Sequence, residues 1–296
     1  MKNEEKYKKI KMGERGAMLS IAAYLFLASI KLVVGESANS EALTADGWNN
    51  VTDIAASAAI LVGLMISRKP ADSNHPYGHW KSESIASLLA SFIMMAVGIQ
   101  VLSGAVMSVW SGEYVTPDWA AASTGAFCAV FMYGIYRFNR RLGEKIDSQA
   151  VKAAAKDNLS DVWVSIGAVI GILGARFYLP WLDSVAAIAV GLLICKTAWG
   201  IFRETSHYLT DGFSEEELTS YKEAANLVPE VSGVRDIRAR KYGNNTVVDI
   251  VLSVPPDISI ESAHDISTQV EDVLVYRFDV YDVHVHVEPS RRSRPK

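Results

Sequence analysis

Six apolar stretches, at residues 17–35, 42–66, 85–109, 119–138, 157–178 and 182–202, run nearly free of charge along the first two thirds of the chain. A bilayer core is crossed by roughly 20 mostly apolar residues in a helix. No water is available there to satisfy the backbone, so a stretch of that length must close its own hydrogen bonds as a helix. Half of the residues are hydrophobic while 21% carry charge, and that charge is crowded into the connecting loops and the region after Phe202. A six-helix membrane bundle followed by a polar domain is the expected architecture.

An even number of spans places both termini on one side. Lys and Arg cluster in the N-terminal arm (Lys2, Lys6, Lys8, Lys9, Lys11, Arg15), after the second stretch (Arg68, Lys69, Lys81) and after the fourth (Arg140, Arg141, Lys145, Lys152, Lys156). The positive-inside bias assigns these segments to the cytoplasm, with a multi-pass protein in the cell membrane and both termini inside. The alternate loops, 36–40 and 111–117, carry no basic residue, and Trp110, Trp119 and Trp181 are placed to anchor at an interface.

The basic start resembles the beginning of a signal peptide, but no small-residue cleavage site follows it, so the first stretch is read as a retained span. A net charge of -4, with the N-terminal arm as the only long basic cluster, argues against nucleic-acid binding. Cys128 and Cys195 both sit in apolar stretches and are too few for a disulfide framework or a thiolate metal site.

Beyond Phe202 the periodicity changes. A polar helix over 215–227, strands over 234–240 and 247–254, a helix over 260–276 and a strand over 280–287 give an α-β-β-α-β order. The segment 241–245 supplies the hairpin turn. This is a small α+β domain of the split β-α-β kind. The expected divisions are a basic cytoplasmic arm (1–16), a transmembrane transport domain (17–205) and a cytoplasmic domain (206–296).

Polar residues interrupt two of the spans. The second contains Asp46, Asn49, Asn50 and Asp53, and the fifth opens on Asp157-Asn158-Leu159-Ser160-Asp161. Ionisable groups at membrane depth are costly and mark functional sites. Asn49 and Asp53 are four apart, as are Asp157 and Asp161, so each pair shares a helix face, and two facing pairs offer four oxygen ligands. Taken singly, Asp157 could be a helix cap and Asp46 an interfacial residue. Asp53, followed by the apolar and small residues 54–60, needs a partner or a bound ion.

Two further clusters have metal-ligand character. Asp72, His75 and His79 stand within eight residues in the basic loop, a carboxylate and two imidazoles suited to a zinc-like ion but without an obvious fourth ligand. His284, His286 and Glu288 alternate onto one face of the last strand, with His264 on the preceding helix. The bland readings are a solvated loop and a wet strand face.

Asn49-x-x-x-Asp53-Ile54-x-x-Ser57, His75-Pro76-Tyr77-Gly78-His79-x-Lys81-x-Glu83 and Asp157-Asn158-Leu159-Ser160-Asp161, in this order, resemble the cation diffusion facilitator family. The resemblance covers nearly the whole chain. It implies six spanning helices, a cytoplasmic ferredoxin-like domain, a homodimer and exchange of a divalent metal for protons.

It also implies a transport site at Asn49, Asp53, Asp157 and Asp161, a loop site at Asp72, His75 and His79, and cytoplasmic ligands at His264, His286 and Glu288. Zinc-transporting relatives carry histidine at the position of Asp157, usually aspartate at that of Asn49, and histidines where this chain has Arg235 and Val251. An all-oxygen site suits manganese(II), while imidazole suits zinc. The resemblance therefore points to the manganese-exporting members, with the regulatory cytoplasmic site weakened or altered.

The expected activity is manganese(II)/proton antiport, metal and protons competing for the same oxygens under alternating access. Zinc, cobalt, cadmium or iron(II) efflux by the same mechanism is the alternative. A metal-gated channel or sensor is a further alternative, which passive conduction independent of pH would favour. No prosthetic group is expected. An intramembrane metalloenzyme would need an open metal position and a nearby base, and the chain has no H-E-x-x-H sequence.

Overall fold

In the computed structural model, residues 2–67, 69–112, 114–146, 149–243 and 245–290 are described, those at 2–18 and a few helix positions by their backbone alone. The basic side chains of the N-terminal arm, Arg68, Asn244 of the hairpin turn and the tail beyond Ser290 lie outside the described residues.

Six long helices come first: α1 (Lys2–Ser37), α2 (Glu41–Ser67), α3 (Ser82–Ser111), α4 (Trp119–Ile146), α5 (Gln149–Arg176) and α6 (Trp181–Leu209). All six are long and apolar enough to cross a membrane, and they contain the expected stretches except that the fifth, 157–178, ends two residues past the end of α5. They also run past them. α4 continues eight residues beyond 138, and α5 starts eight residues before 157, because Arg140, Arg141, Lys145, Lys152 and Lys156 are good helix formers once outside lipid. Large apolar side chains such as Val33, Leu61, Ile93, Val130, Trp163 and Leu192 are exposed, as a lipid-facing surface requires.

The chain divides into two compact units, residues 1–58 with 89–200 and residues 59–88 with 201–296. In the first, α1, α4 and α5 pack on one another, with Leu27, Cys128 and Met132 at their centre. The loops at one end are tied together: the Asp118 amide donates to the Ala38 carbonyl at 3.0 Å, and Ser40 Oγ to Asp183 Oδ1 at 2.8 Å. Trp110, Trp119 and Trp181 are all exposed at this end. α5 and α6 approach closely, for a Cβ on Gly171 would stand 2.4 Å from that of Ala186.

In the second unit, α7 (Glu215–Asn226), β1 (Gly233–Tyr242), β2 (Asn245–Val254), α8 (Ile260–Phe278) and β3 (Asp282–Pro289) follow the expected α-β-β-α-β order. The sheet order is β1-β2-β3, with β1 antiparallel and β3 parallel to β2. α7 and α8 cover one face through Tyr221, Ile266, Val270 and Leu274, which pack on Val248, Ile250, Leu252 and Val283. Gly243, at φ 59, takes the left-handed turn between β1 and β2.

Candidate metal centre

On α2, Asp46 and Asn50 are four apart, as are Asn49 and Asp53, so the four residues fall on one side of the helix. On α5, Asp157, Asp161 and Ser165 are spaced by four, with Asn158 beside Asp157. The two faces meet. The Asn49 amide nitrogen donates to Asp161 Oδ1 at 3.2 Å and to Asp53 Oδ2 at 3.3 Å, so one side chain bridges the carboxylates of two helices. A half-turn of that amide puts its carbonyl oxygen in the same place, and its two ends differ only in their hydrogen bonding.

Asn49 and Asp161 are buried and Asp53 nearly so. Asp157 lies one turn before Asp161, exposed at the edge of the group. It is eight residues into α5, so it does not cap that helix. The structure thus gathers Asn49, Asp53 and Asp161 and leaves Asp157 beside them, at a position from which it could close a set of oxygen ligands around a hard cation.

Sequence reasoning missed two parts of this layer. The phenol of Tyr24, on α1, donates to Asp161 Oδ2 at 2.7 Å, with Asn158 Oδ1 3.0 Å from the same phenol oxygen, and holds the carboxylate by the oxygen that Asn49 does not reach. Further along, Lys31 is 1% exposed, and its ammonium donates to Asp46 Oδ1 at 2.8 Å, Asn50 Oδ1 at 2.8 Å and Ser165 Oγ at 3.0 Å. Asp46 is fully buried in this ion pair. The signal available in the sequence was the charge of Lys31 in the first apolar stretch.

In the loop after α2, Asp72, His75 and His79 bring their ligand atoms within 4.8 Å of one another. Asp72 Oδ1 accepts from the amides of Asn74 at 2.9 Å and His75 at 2.8 Å, and its carboxylate stands 3.1 Å from His75 Nδ1 and 3.5 Å from His79 Nε2. Bonds from the His75 backbone and ring hold the Asp72 carboxyl below the usual carboxylate range. The left-handed Gly78 at φ 81 turns the chain so that both rings face the aspartate, their centroids 4.2 Å apart. One carboxylate and two imidazoles are three ligands of a zinc-like tetrahedron, with a fourth position open.

This loop lies against the end of β1, the start of β3 and the segment after α6, all in its own unit. Trp80 meets the Tyr281 ring edge-on at 4.5 Å, Tyr77 stacks near Tyr242, and Lys81 pairs with Asp211 at 3.2 Å.

The third cluster is open. His284, His286 and Glu288 share the β3 face turned away from α7 and α8, and His264 is exposed on the first turns of α8. Each strand residue already has a charged neighbour: His284 lies 3.6 Å from Asp249, His286 3.7 Å from Glu288, and Glu288 contacts Arg235. Arg235 thus puts a fixed cation beside Glu288. Asp249, opposite His284 in the β2–β3 register, is a carboxylate that periodicity along a single strand could not bring into view.

Comparison with known proteins bears on the whole chain. The profile of the cation efflux transmembrane domain matches residues 17–210, and that of the cation efflux protein cytoplasmic domain matches residues 213–290. The chain is 52% identical over 289 residues, 98% of its length and 100% of the relative's, to the manganese efflux system protein MneS of Bacillus subtilis (strain 168). It is 32% identical over 282 residues, 92% of its length and 95% of the relative's, to the manganese efflux system protein MneP of the same organism. Among solved structures, the copper form of MamM CTD is 28% identical and covers 28% of this chain and 92% of its own, with a TM-score of 0.26.

Proposed function

The chain belongs to the cation diffusion facilitator, or cation efflux, family of multi-pass membrane transporters, and on that premise we propose that it exports manganese(II) from the cytoplasm in exchange for protons. The observation that carries this reading is the meeting of Asn49 and Asp53 with Asp161 across two spanning helices, a cluster built from oxygen and amide groups alone. Hard oxygen ligands favour manganese over zinc, and two relatives that match almost end to end are named as manganese efflux proteins.

The transport site is Asn49, Asp53, Asp157 and Asp161. The ion arrives from the end of the bundle that bears the basic loops, which is the cytoplasmic end. Asn49 turns its carbonyl to the ion, the aspartates neutralise it, and Tyr24 keeps Asp161 oriented. After the bundle rocks, the ion leaves at the opposite end. The carboxylates of the emptied site return with protons in exchange.

Asp72, His75 and His79 form a cytoplasmic loop site whose occupancy is sensed by the soluble domain. His264, His286 and Glu288 form a weakened second one, with Arg235 in place of a ligand. The soluble domains pair in a homodimer, as the dimer-domain profile over residues 213–290 supports.

The test is transport in reconstituted vesicles, with manganese outside and a pH dye inside. Manganese uptake accompanied by proton release is the expected result. A divalent flux that moves no protons, unchanged by the pH difference, contradicts antiport and favours a channel.

A further inference from the structure

The Lys31 cluster lies on the way out of the transport site, and the proposed direction of transport gives it a role. Asp46 precedes Asp53 by seven residues on α2, and Ser165 follows Asp161 by four on α5. At 1.5 Å per residue both sit nearer the same end of the bundle, by about 10 Å and about 6 Å. That end holds the 38–40 and 177–180 loops, the outer end in the reading above.

Beyond the cluster, an open cavity is lined by Glu36, Glu41, Gln100, Ser108 and Asp183, and its walls reach Gly35, one turn past Lys31, and Ala45, next to Asp46. Three tiers follow along the bundle: the transport site, the buried layer of Lys31, Asp46, Asn50 and Ser165, and the outer cavity.

The layer is no ordinary structural contact. Taking a lysine and an aspartate out of water costs more than packing apolar residues of similar volume, and here both are almost completely buried. The network is also incomplete, because Asp46 Oδ2 is buried without a hydrogen-bond partner among the described residues. Around the ammonium stand three oxygens, from a carboxylate, an amide and a hydroxyl. That set suits a hard metal cation as well as it suits an ammonium.

We propose that Lys31 is a tethered plug in the outer half of the ion path, its ammonium filling an oxygen cage of Asp46, Asn50 and Ser165 that a departing divalent cation must take over to leave. The proposal rests on the transport reading above. It explains why α1, which contributes no metal ligand, is joined to α2 and α5 through one cation, and why the spare Asp46 oxygen is left buried. With the ammonium in place the site is closed to the outside, and the outgoing ion opens the path by displacing it.

The test is the number of protons moved per manganese ion in reconstituted vesicles. Lys31→Met/Asp46→Asn removes plug and countercharge together and leaves no unpaired buried charge. It is expected to carry manganese with a proton-to-metal ratio several-fold below that of the native protein. Lys31→Arg, which keeps the cation, retains the native ratio. Asn50→Ala removes one oxygen of the cage, lowers the ratio in the same direction, and is the measurement used if the double variant does not fold. An unchanged ratio in either uncaged variant, or no flux from the folded double variant, overturns the plug. Absence of coupled flux in the native protein overturns instead the transport reading beneath it.

Discussion

Asp161 is gripped from both sides, by the Tyr24 phenol at 2.7 Å on one oxygen and the Asn49 amide at 3.2 Å on the other. A ligand carboxylate in a helix bundle needs such holding, because a misplaced ligand loses much of its affinity for a metal. The two grips differ in kind. Tyr24 is a fixed donor on a neighbouring helix, whereas Asn49 can exchange its amide for its carbonyl.

Tyr24→Phe keeps the ring and removes the donor. A hydrogen bond to a charged group is worth roughly 1.5–3 kcal/mol, so the variant is expected to fold and to need about ten-fold or more manganese for half-maximal uptake. A native half-saturation in vesicles would show that the phenol plays no part in holding the site.

Asp183, on α6, accepts from the Glu41 amide at 2.6 Å and from Ser40 Oγ, so it caps α2 from another helix. Losing an N-terminal cap costs about 0.5–2 kcal/mol, and here the α2–α6 tie goes with it. Asp183→Ala is expected to lower the melting temperature in detergent by several degrees, while Asp183→Asn loses less. Equal melting of all three proteins contradicts the capping role.

At Gly171 there is no room for a side chain, because Ala186 fills the space. Gly171→Val forces α5 and α6 apart, and since α5 carries Asp157 and Asp161 it is expected to cut the yield of folded protein and the flux of what remains. Size-exclusion profiles and uptake per folded molecule check both.

Zinc binding at the loop needs the Asp72 carboxylate together with the two imidazoles. Bonds from the His75 backbone and ring hold the Asp72 carboxyl below the usual carboxylate range, which keeps it available as an anionic ligand. Calorimetry is therefore expected to show zinc bound by the native protein and markedly weaker binding by Asp72→Asn. Equal affinity in the two proteins would place the zinc elsewhere.

The spans and the α-β-β-α-β order of the soluble domain were readable because apolar runs and two-residue alternation are local signals. Helix ends were not. Hydropathy reports where lipid stops, and α4 and α5 continue through charged turns beyond it, so Asp157 taken singly could be read as a cap although it lies two turns inside α5. The pairs Asn49/Asp53 and Asp157/Asp161 were legible from spacing. Their neighbours were not, because Tyr24 and Lys31 lie more than a hundred residues from their α5 partners and meet them only through packing. Asp249 escaped notice for the same reason, since its closeness to His284 depends on the parallel β2–β3 register.

The most direct measurement is the metal preference of coupled transport before and after one ligand is exchanged. The native protein and Asp157→His, reconstituted in parallel, are compared for manganese, zinc, cobalt and cadmium uptake with internal pH followed throughout. Manganese-dependent proton release by the native protein, with the preference moving toward zinc in the variant, is the predicted result. Native preference for zinc, or a selectivity indifferent to the exchange, would contradict an oxygen-ligand transport site that includes Asp157.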